Sequence, residues 1–361
     1  MTDILVYGQL LNKYQENPMD YLEFEKPLIE IEKNIAQLKE KALKEKIDFS
    51  ETIGRLEKEV QDKRRSLYQN LTPDQRLKIA RHPSRPNMLD YLTLAFTDFV
   101  ELHGDRNYGD DPAMVGGLAR IGNQRVVVVG QQKGRDTKEK LFRNFGMAHP
   151  EGYRKALRLM QMAERFHLPV VCLIDIPGAY PGISAEERGQ ASAIAVNLRE
   201  MMNLRTPVVC VIIGEGGSGG ALGIGVGDKV IMLEHSYYSV ISPEGCSAIL
   251  WKTSDRAADA AVALKMTARD LQGFGIIDGI VEEPLGGAHR DPQATAAAMK
   301  KVILALIEEL SRLSIPELLT HRYEKYRQIG AYHSDALSRK PSASMKSPGT
   351  PTPSNAALQE K

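Results

Sequence analysis

The chain has 361 residues, 42% of them hydrophobic, with 47 Lys and Arg against 46 Asp and Glu for a formal net charge of +1. That length allows roughly two domains with a sizeable core, and the charge balance excludes a whole-chain field for nucleic acid or an anionic membrane. The three cysteines, Cys172, Cys210 and Cys246, have no CxxC spacing, which excludes a zinc ribbon and a disulfide framework and fits a reducing compartment.

Met1 to Leu11 lacks a signal-peptide pattern, and no run approaches the ~20 apolar residues of a membrane span. The expectation is a cytoplasmic protein. Residues 24–70 are dense in Glu and Lys, with Leu28, Ile31, Ile35 and Leu38, then Ile53, Leu56, Val60 and Leu67, at helical spacing on either side of a break near Asp48 to Ser50. This predicts two amphipathic helices packed as a hairpin. Thr72-Pro73-Asp74-Gln75 has the form of a capping box with Pro at the first helical position, so a third helix starts there.

From about residue 113 the texture changes to strands. Met114 to Ile121 and Arg125 to Gln131 flank Gly122-Asn123, a two-residue hairpin turn. A helix over Glu151 to Phe166 precedes an unbroken apolar strand, Val170 to Asp175; a helix over Glu187 to Met202 precedes another, Val208 to Ile213. The repeat is literal: Leu168-Pro169-Val170-Val171-Cys172 matches Thr206-Pro207-Val208-Val209-Cys210, thirty-eight residues on. Unbroken apolar strands alternating with helices imply an α/β fold whose parallel sheet is covered on both faces. Two short strands, Val230 to Leu233 and Tyr238 to Ile241, follow, then helices ending with Met299, Ile303, Leu306 and Leu310 on one face. The expected division is an N-terminal helical region (1–80), an α/β domain (81–315), a C-terminal helical extension (316–333) and a disordered tail rich in Ser, Pro and Lys (334–361).

In parallel sheets ligands collect beyond the C-terminal strand ends. Both repeat strands end there in glycine-rich stretches, Asp175 to Gly182 and Gly214 to Gly223. Consecutive glycines before a helix let backbone N–H groups reach an oxyanion; equally, they permit tight packing of helix on strand. Ser218 falls in a Gly-x-Ser-x-Gly pattern, for which Asp228 with His235 or His289 are the nominal triad partners, and a helix-capping serine is the plainer reading. Gly130-x-x-x-Gly134 continues into Arg135, so a Walker A loop is absent. Lys133, Arg135, Lys138, Lys140 and Arg143 place five cations in eleven positions, suited to phosphate or carboxylate. Asp110-Asp111-Pro112 reads as a turn, Glu244 as a helix-start carboxylate, and the eight histidines show no metal-ligand spacing, so no metal is predicted.

Lys133-Gly134-Arg135-Asp136-Thr137-Lys138-Glu139-Lys140, Asn144-Phe145-Gly146-Met147 and Pro150 to Ala156 resemble the carboxyltransferase alpha subunits of multisubunit acetyl-CoA carboxylases. So do Pro177 to Gly182, Gly214 to Gly220 and Ser239 to Cys246. The likeness covers about residues 25–320. It implies a crotonase-like spiral of ββα repeats and transfer of a carboxyl group from carboxybiotin, held on the biotin carboxyl carrier protein, to acetyl-CoA, giving malonyl-CoA. It implies a beta partner that binds the acyl-CoA, in an alpha2beta2 arrangement, and a biotin carboxylase that alone uses ATP. Carried over to this sequence, the oxyanion donors are the backbone N–H groups of Gly216 and Gly217, and Gly178, Ala179, Tyr180, Gly219, Gly220, Lys133 and Arg135 lie on the carboxybiotin or CoA side. Two alternatives stay open: a crotonase-fold hydratase or isomerase using Glu215 or Glu244 as base, and a non-catalytic scaffold.

Overall fold

In the computed structural model residues 21–330, apart from Lys46, are described. The expected disordered tail, the end of the C-terminal extension and the first twenty positions lie outside the described residues. The charged N-terminal region forms α1 (Lys26–Glu45) and α2 (Ser50–Gln69). Ion pairs Lys39–Glu57, at 2.8 Å, and Arg64–Glu32 join them antiparallel, with Leu28, Ile35, Val60 and Tyr68 buried. A charged residue also docks the hairpin: Glu25, fully buried, accepts from Tyr68 Oη at 2.9 Å and pairs with Arg290 at 3.1 Å. Thr72 and Gln75 then close the expected capping box at the start of α3 (Pro73–Ala80).

The sequence reading missed α4 (Met88–Ala95) and β1 (Thr97–Glu101), both too short for periodicity to reveal. The predicted hairpin is β2 (Met114–Ile121) and β3 (Gln124–Gln131), with Gly122 at φ +56° in the turn. Next come α5 (Thr137–Phe142), α6 (Pro150–Arg165), β4 (Val170–Ile176), α7 (Ile183–Glu187), α8 (Gln190–Asn203) and β5 (Val208–Gly217). The remaining elements are α9 (Ser218–Leu222), β6 (Lys229–Leu233), β7 (Tyr237–Ser239), α10 (Pro243–Trp251), α11 (Ala257–Leu264), α12 (Ala268–Gly273), β8 (Gly279–Val281), α13 (Pro292–Ser311) and α14 (Ile315–Gln328).

The strands form one mixed sheet in the order β1-β2-β3-β4-β5-β6-β8, antiparallel from β1 to β3 and parallel thereafter. The literal repeat sets the register: Val170 faces Val208 and Cys172 faces Cys210, the same thirty-eight-residue offset. Alternate residues then feed two cores. Val129, Val170, Cys172, Val208 and Cys210 pack under α6 and α8, while Val128, Val171, Leu173, Val209 and Val211 pack under α4 and α13. On α13 the buried stripe runs Met299, Ile303, Ile307, Leu310; Ile307 takes the place expected for Leu306, which is partly buried beside it. β7 begins one residue early and ends at Ser239, because Ser242 caps α10. It leaves the main ladder to pair with the end of β5. No helix among the described residues is long and apolar enough to cross a membrane.

Arg322 holds α14 on the sheet. Its fully buried guanidinium binds both oxygens of Asp228, at 2.8 and 2.7 Å, and the carbonyls of Met201, Leu204 and Thr206. Removing one partner of such a pair strands the other charge in the interior. Arg322→Ala should therefore cost about 3–5 kcal/mol in a denaturant titration; a loss below about 1 kcal/mol, the scale of a surface pair, would contradict the clamp.

Candidate active site

Because β3, β4 and β5 run parallel, their C-terminal ends arrive together. There the ladder breaks: Ile174 faces Ile212 and Ile176 faces Gly216, so Ile213, Gly214 and Glu215 of β5 oppose the single residue Asp175 of β4. The sequence reading ended this strand at Ile213 and treated Gly214 to Gly217 as loop. The structure keeps them in β5, which bends to pair Glu215, Gly216 and Gly217 with Tyr237, Tyr238 and Ser239. Such a bulge leaves backbone groups without ladder partners, and side chains supply them. Glu215 N donates to Asp175 Oδ1 at 2.8 Å, and Arg85 Nε donates to the Ile213 carbonyl at 2.9 Å.

Around this break sits a buried ionic cluster. Lys133 Nζ lies 2.6 Å from both Asp175 Oδ1 and Glu215 Oε1, while Glu215 Oε2 accepts from Arg81 Nε and Tyr237 Oη, each at 2.7 Å. Arg81 also reaches Glu244 at 2.6 Å, and Arg85 forms a two-pronged pair with Glu283. Burial opposes ionisation of Glu215, but Lys133 and Arg81 outweigh it and hold the carboxyl at about 2. Burial of Glu283 is likewise overcome by Arg85 and His235, leaving it at about 2. For Asp175 burial prevails, and its carboxyl is raised despite Lys133. Lys133 loses some preference for its charge through burial and regains more from Asp175 and Glu215, so it stays a cation.

The two glycine-rich segments touch. A Cβ on Gly217 would stand 2.0 Å from the Pro177 carbonyl oxygen, and one on Gly220 would stand 2.6 Å from Ala179 N. A Cβ on Gly214 would meet Asp175 Oδ1 at 2.4 Å, so this glycine admits the carboxylate into the bulge. The packing reading of these glycines is thus realised. Gly178 differs, with no heavy atom within 4 Å of the Cβ position, so its backbone is bare on that side. The next residues are held by Tyr180 N donating to the Ala148 carbonyl, and by stacking of the Tyr180 ring on His149 at 4.1 Å.

Of the residues singled out from sequence, Gly178, Ala179, Gly217 and Gly220 are brought together, with Gly216 and Gly219 on either side of Gly217 and Ser218. Lys133 lies beneath them in the ionic cluster, and Arg135 pairs with Asp90 of α4. Ser218 has φ +53° and is the first residue of α9; Gly217, not the serine, is the N-cap. Its nominal triad partners are engaged elsewhere: Asp228 by Arg322, His235 by Arg76 at 3.0 Å, and His289 in a 3.9 Å stack on His82. Arg81 and Tyr237 were missed, since they reach Glu215 across 134 and 22 positions with no motif to mark them. Beside the cluster, Arg81, His82, Asn87, Lys133 and Lys140 line a cavity of about 120 Å³, room for a few waters and too small for a coenzyme.

Residues 21–330 match the family model described as acetyl co-enzyme A carboxylase carboxyltransferase-like. The chain is 55% identical over 318 residues to the acetyl-coenzyme A carboxylase carboxyl transferase subunit alpha of Methylococcus capsulatus, covering 88% of this chain and 99% of that one. It is 53% identical over 311 residues to the subunit of the same name from Staphylococcus aureus, covering 86% and 99%. Among solved structures, transcarboxylase 12S superposes with a TM-score of 0.48 at 18% identity, over 59% of this chain and 38% of that one. On the family match and these identities, the chain belongs to the acetyl co-enzyme A carboxylase carboxyltransferase-like family.

Proposed function

We propose that this chain is the alpha half of the carboxyltransferase of a multisubunit acetyl-CoA carboxylase, moving a carboxyl group from carboxybiotin to acetyl-CoA to give malonyl-CoA for fatty acid synthesis. The carrying observation is identity above 50% over almost the full length of relatives bearing that subunit name. In this reading the site is completed by a beta subunit in an alpha2beta2 assembly. Biotin arrives on a separate carrier protein, and ATP is spent by a separate biotin carboxylase.

The residues present fit a flat, uncharged ring with a carbonyl oxygen. Gly178 leaves bare backbone for such a ring to approach, while Gly217 and Gly220 let the two glycine-rich segments close on one another beside it. Carboxybiotin, when bound, supplies the carboxyl group and, once relieved of it, a base for the thioester methyl proton. The chain's task is then positional and electrostatic. The N–H groups of Gly216 and Gly217 face the oxygen that gains charge, for which losing one fixed donor costs on the order of 3 kcal/mol. Ala179, Tyr180 and Gly219 complete the wall, and Lys133 and Arg135 add positive charge from within their ion pairs. No side chain of this chain need carry a proton.

That last point separates the proposal from a hydratase or isomerase working alone. Glu215, the base such an enzyme would use, is tied to three donors and held near 2, far below the ~6–7 that suits a general base at neutral pH. Glu244 is likewise lowered, burial being outweighed by its bond to Arg81.

The deciding experiment is malonyl-CoA consumption with biocytin as acceptor, using this chain alone, the beta subunit alone and the mixture. Turnover confined to the mixture is expected; turnover by this chain alone, or hydration of an enoyl-CoA, would overturn the proposal. Gly178→Ala tests the wall, because its methyl has space in the folded chain. It should leave folding and beta association intact and raise KM for biocytin by on the order of ten-fold, the effect of one methyl in a fitted pocket. An unchanged KM would place the acceptor elsewhere.

A further inference from the structure

Apart from the positive charge of Lys133, the ionic cluster has no part in the chemistry just described, yet it occupies the place where β4 and β5 lose their common register. Opposite Asp175 the end of β5 carries two extra residues, and beyond the break no ladder to β4 except the Ile176–Gly216 pairing fixes its direction. Side chains take over. Asp175 Oδ1 accepts both the Glu215 backbone N–H at 2.8 Å and Lys133 Nζ at 2.6 Å. The Glu215 carboxylate is gripped by Lys133 from the segment after β3, by Arg81 from the end of α3 and by Tyr237 from β7. Three separate elements therefore converge on the residue immediately before Gly216.

We propose that Asp175 and Glu215 are positioning residues for carboxyl transfer: through Lys133, Arg81 and Tyr237 they fix the bulge that aims the Gly216 and Gly217 N–H groups. Neither carboxylate meets substrate. This rests on the oxyanion role given to those two N–H groups. Glu215, held at about 2, stays ionised throughout the working pH range, so it contributes a constant charge and no titration. Gly214 belongs to the same device, since any side chain there would displace the Asp175 carboxylate.

The test uses the assembled alpha-beta complex and the malonyl-CoA and biocytin reaction. Asp175→Asn keeps an oxygen that can accept from Glu215 N and should retain at least about a third of kcat; Asp175→Leu removes the acceptor and should lose about 100-fold, the scale of an ångström-sized misplacement. Glu215→Gln should lose kcat similarly, with KM for malonyl-CoA within about two-fold and the shape of the kcat–pH profile unchanged. Tyr237→Phe, which removes one of three donors at constant volume, should fall between and guards against failure of the bolder variants to fold. Full kcat in Asp175→Leu, Glu215→Gln and Tyr237→Phe complexes would overturn the inference. So would losses that merely follow the folded fraction, or loss of the acidic limb in Glu215→Gln, which would make it a base. An unaltered complex without turnover would overturn the functional reading itself and this inference with it.

Discussion

The site depends on a mismatch of length. Opposite Asp175, β5 carries three residues, and a parallel ladder cannot absorb that difference without bending one strand. β5 bends, and its last three residues, two of them glycine, pair with β7 while Gly216 keeps its partner Ile176 on β4. There the strand runs past Pro177 at a distance that only glycine at 217 allows.

A bulge at the centre of a sheet would ordinarily be expensive, since it strands polar backbone in an apolar layer. Here the missing partners are charged, and each charge is answered in turn: Asp175 by Lys133, Glu215 by Lys133 and Arg81, Arg85 by Glu283. Buried ion pairs contribute little net stability compared with apolar packing of the same volume. Their value is geometric, because a half-broken pair is penalised severely and the alternatives to this one strand path are thereby removed. The same device recurs away from the site, where Arg322 and Asp228 fix α14, and where Glu25 and Arg290 dock the N-terminal hairpin.

What could be read from the sequence follows from which interactions leave a local trace. The covered parallel sheet was legible because a fully apolar strand needs protection on both faces, and the thirty-eight-residue repeat noted in the sequence turns out to be the offset at which the two strands pair. The Thr72–Gln75 capping box and the hairpin of α1 and α2 were legible for the same reason: their partners lie within one or two helical turns or follow a 3.6-residue period. The bend in β5 was not. Gly214-Glu215-Gly216-Gly217 reads as loop because glycine disfavours strands, and the Tyr237–Glu215 and Arg81–Glu215 contacts that keep it extended are tertiary. Lys133 and Arg135 illustrate the same limit, because sequence gives their charge but not that Asp175, Glu215 and Asp90 already answer it.

Those internal pairings bear on how the chain can act. A loop with five cations suggests a surface waiting for phosphate, yet Lys133, Arg135 and Arg143 are each committed to carboxylates of this same chain. Beside the exposed Lys138, the surface offers bare backbone at Gly178 and the exposed apolar side chains of Leu141, Phe142, Phe145 and Ile183. Backbone donors discriminate weakly between one oxyanion and another, so the specificity of such a site must come from whatever closes it. The cavity beside the cluster cannot enclose a coenzyme. In the reading proposed above, the chain supplies one wall of an active site and a second surface supplies the other.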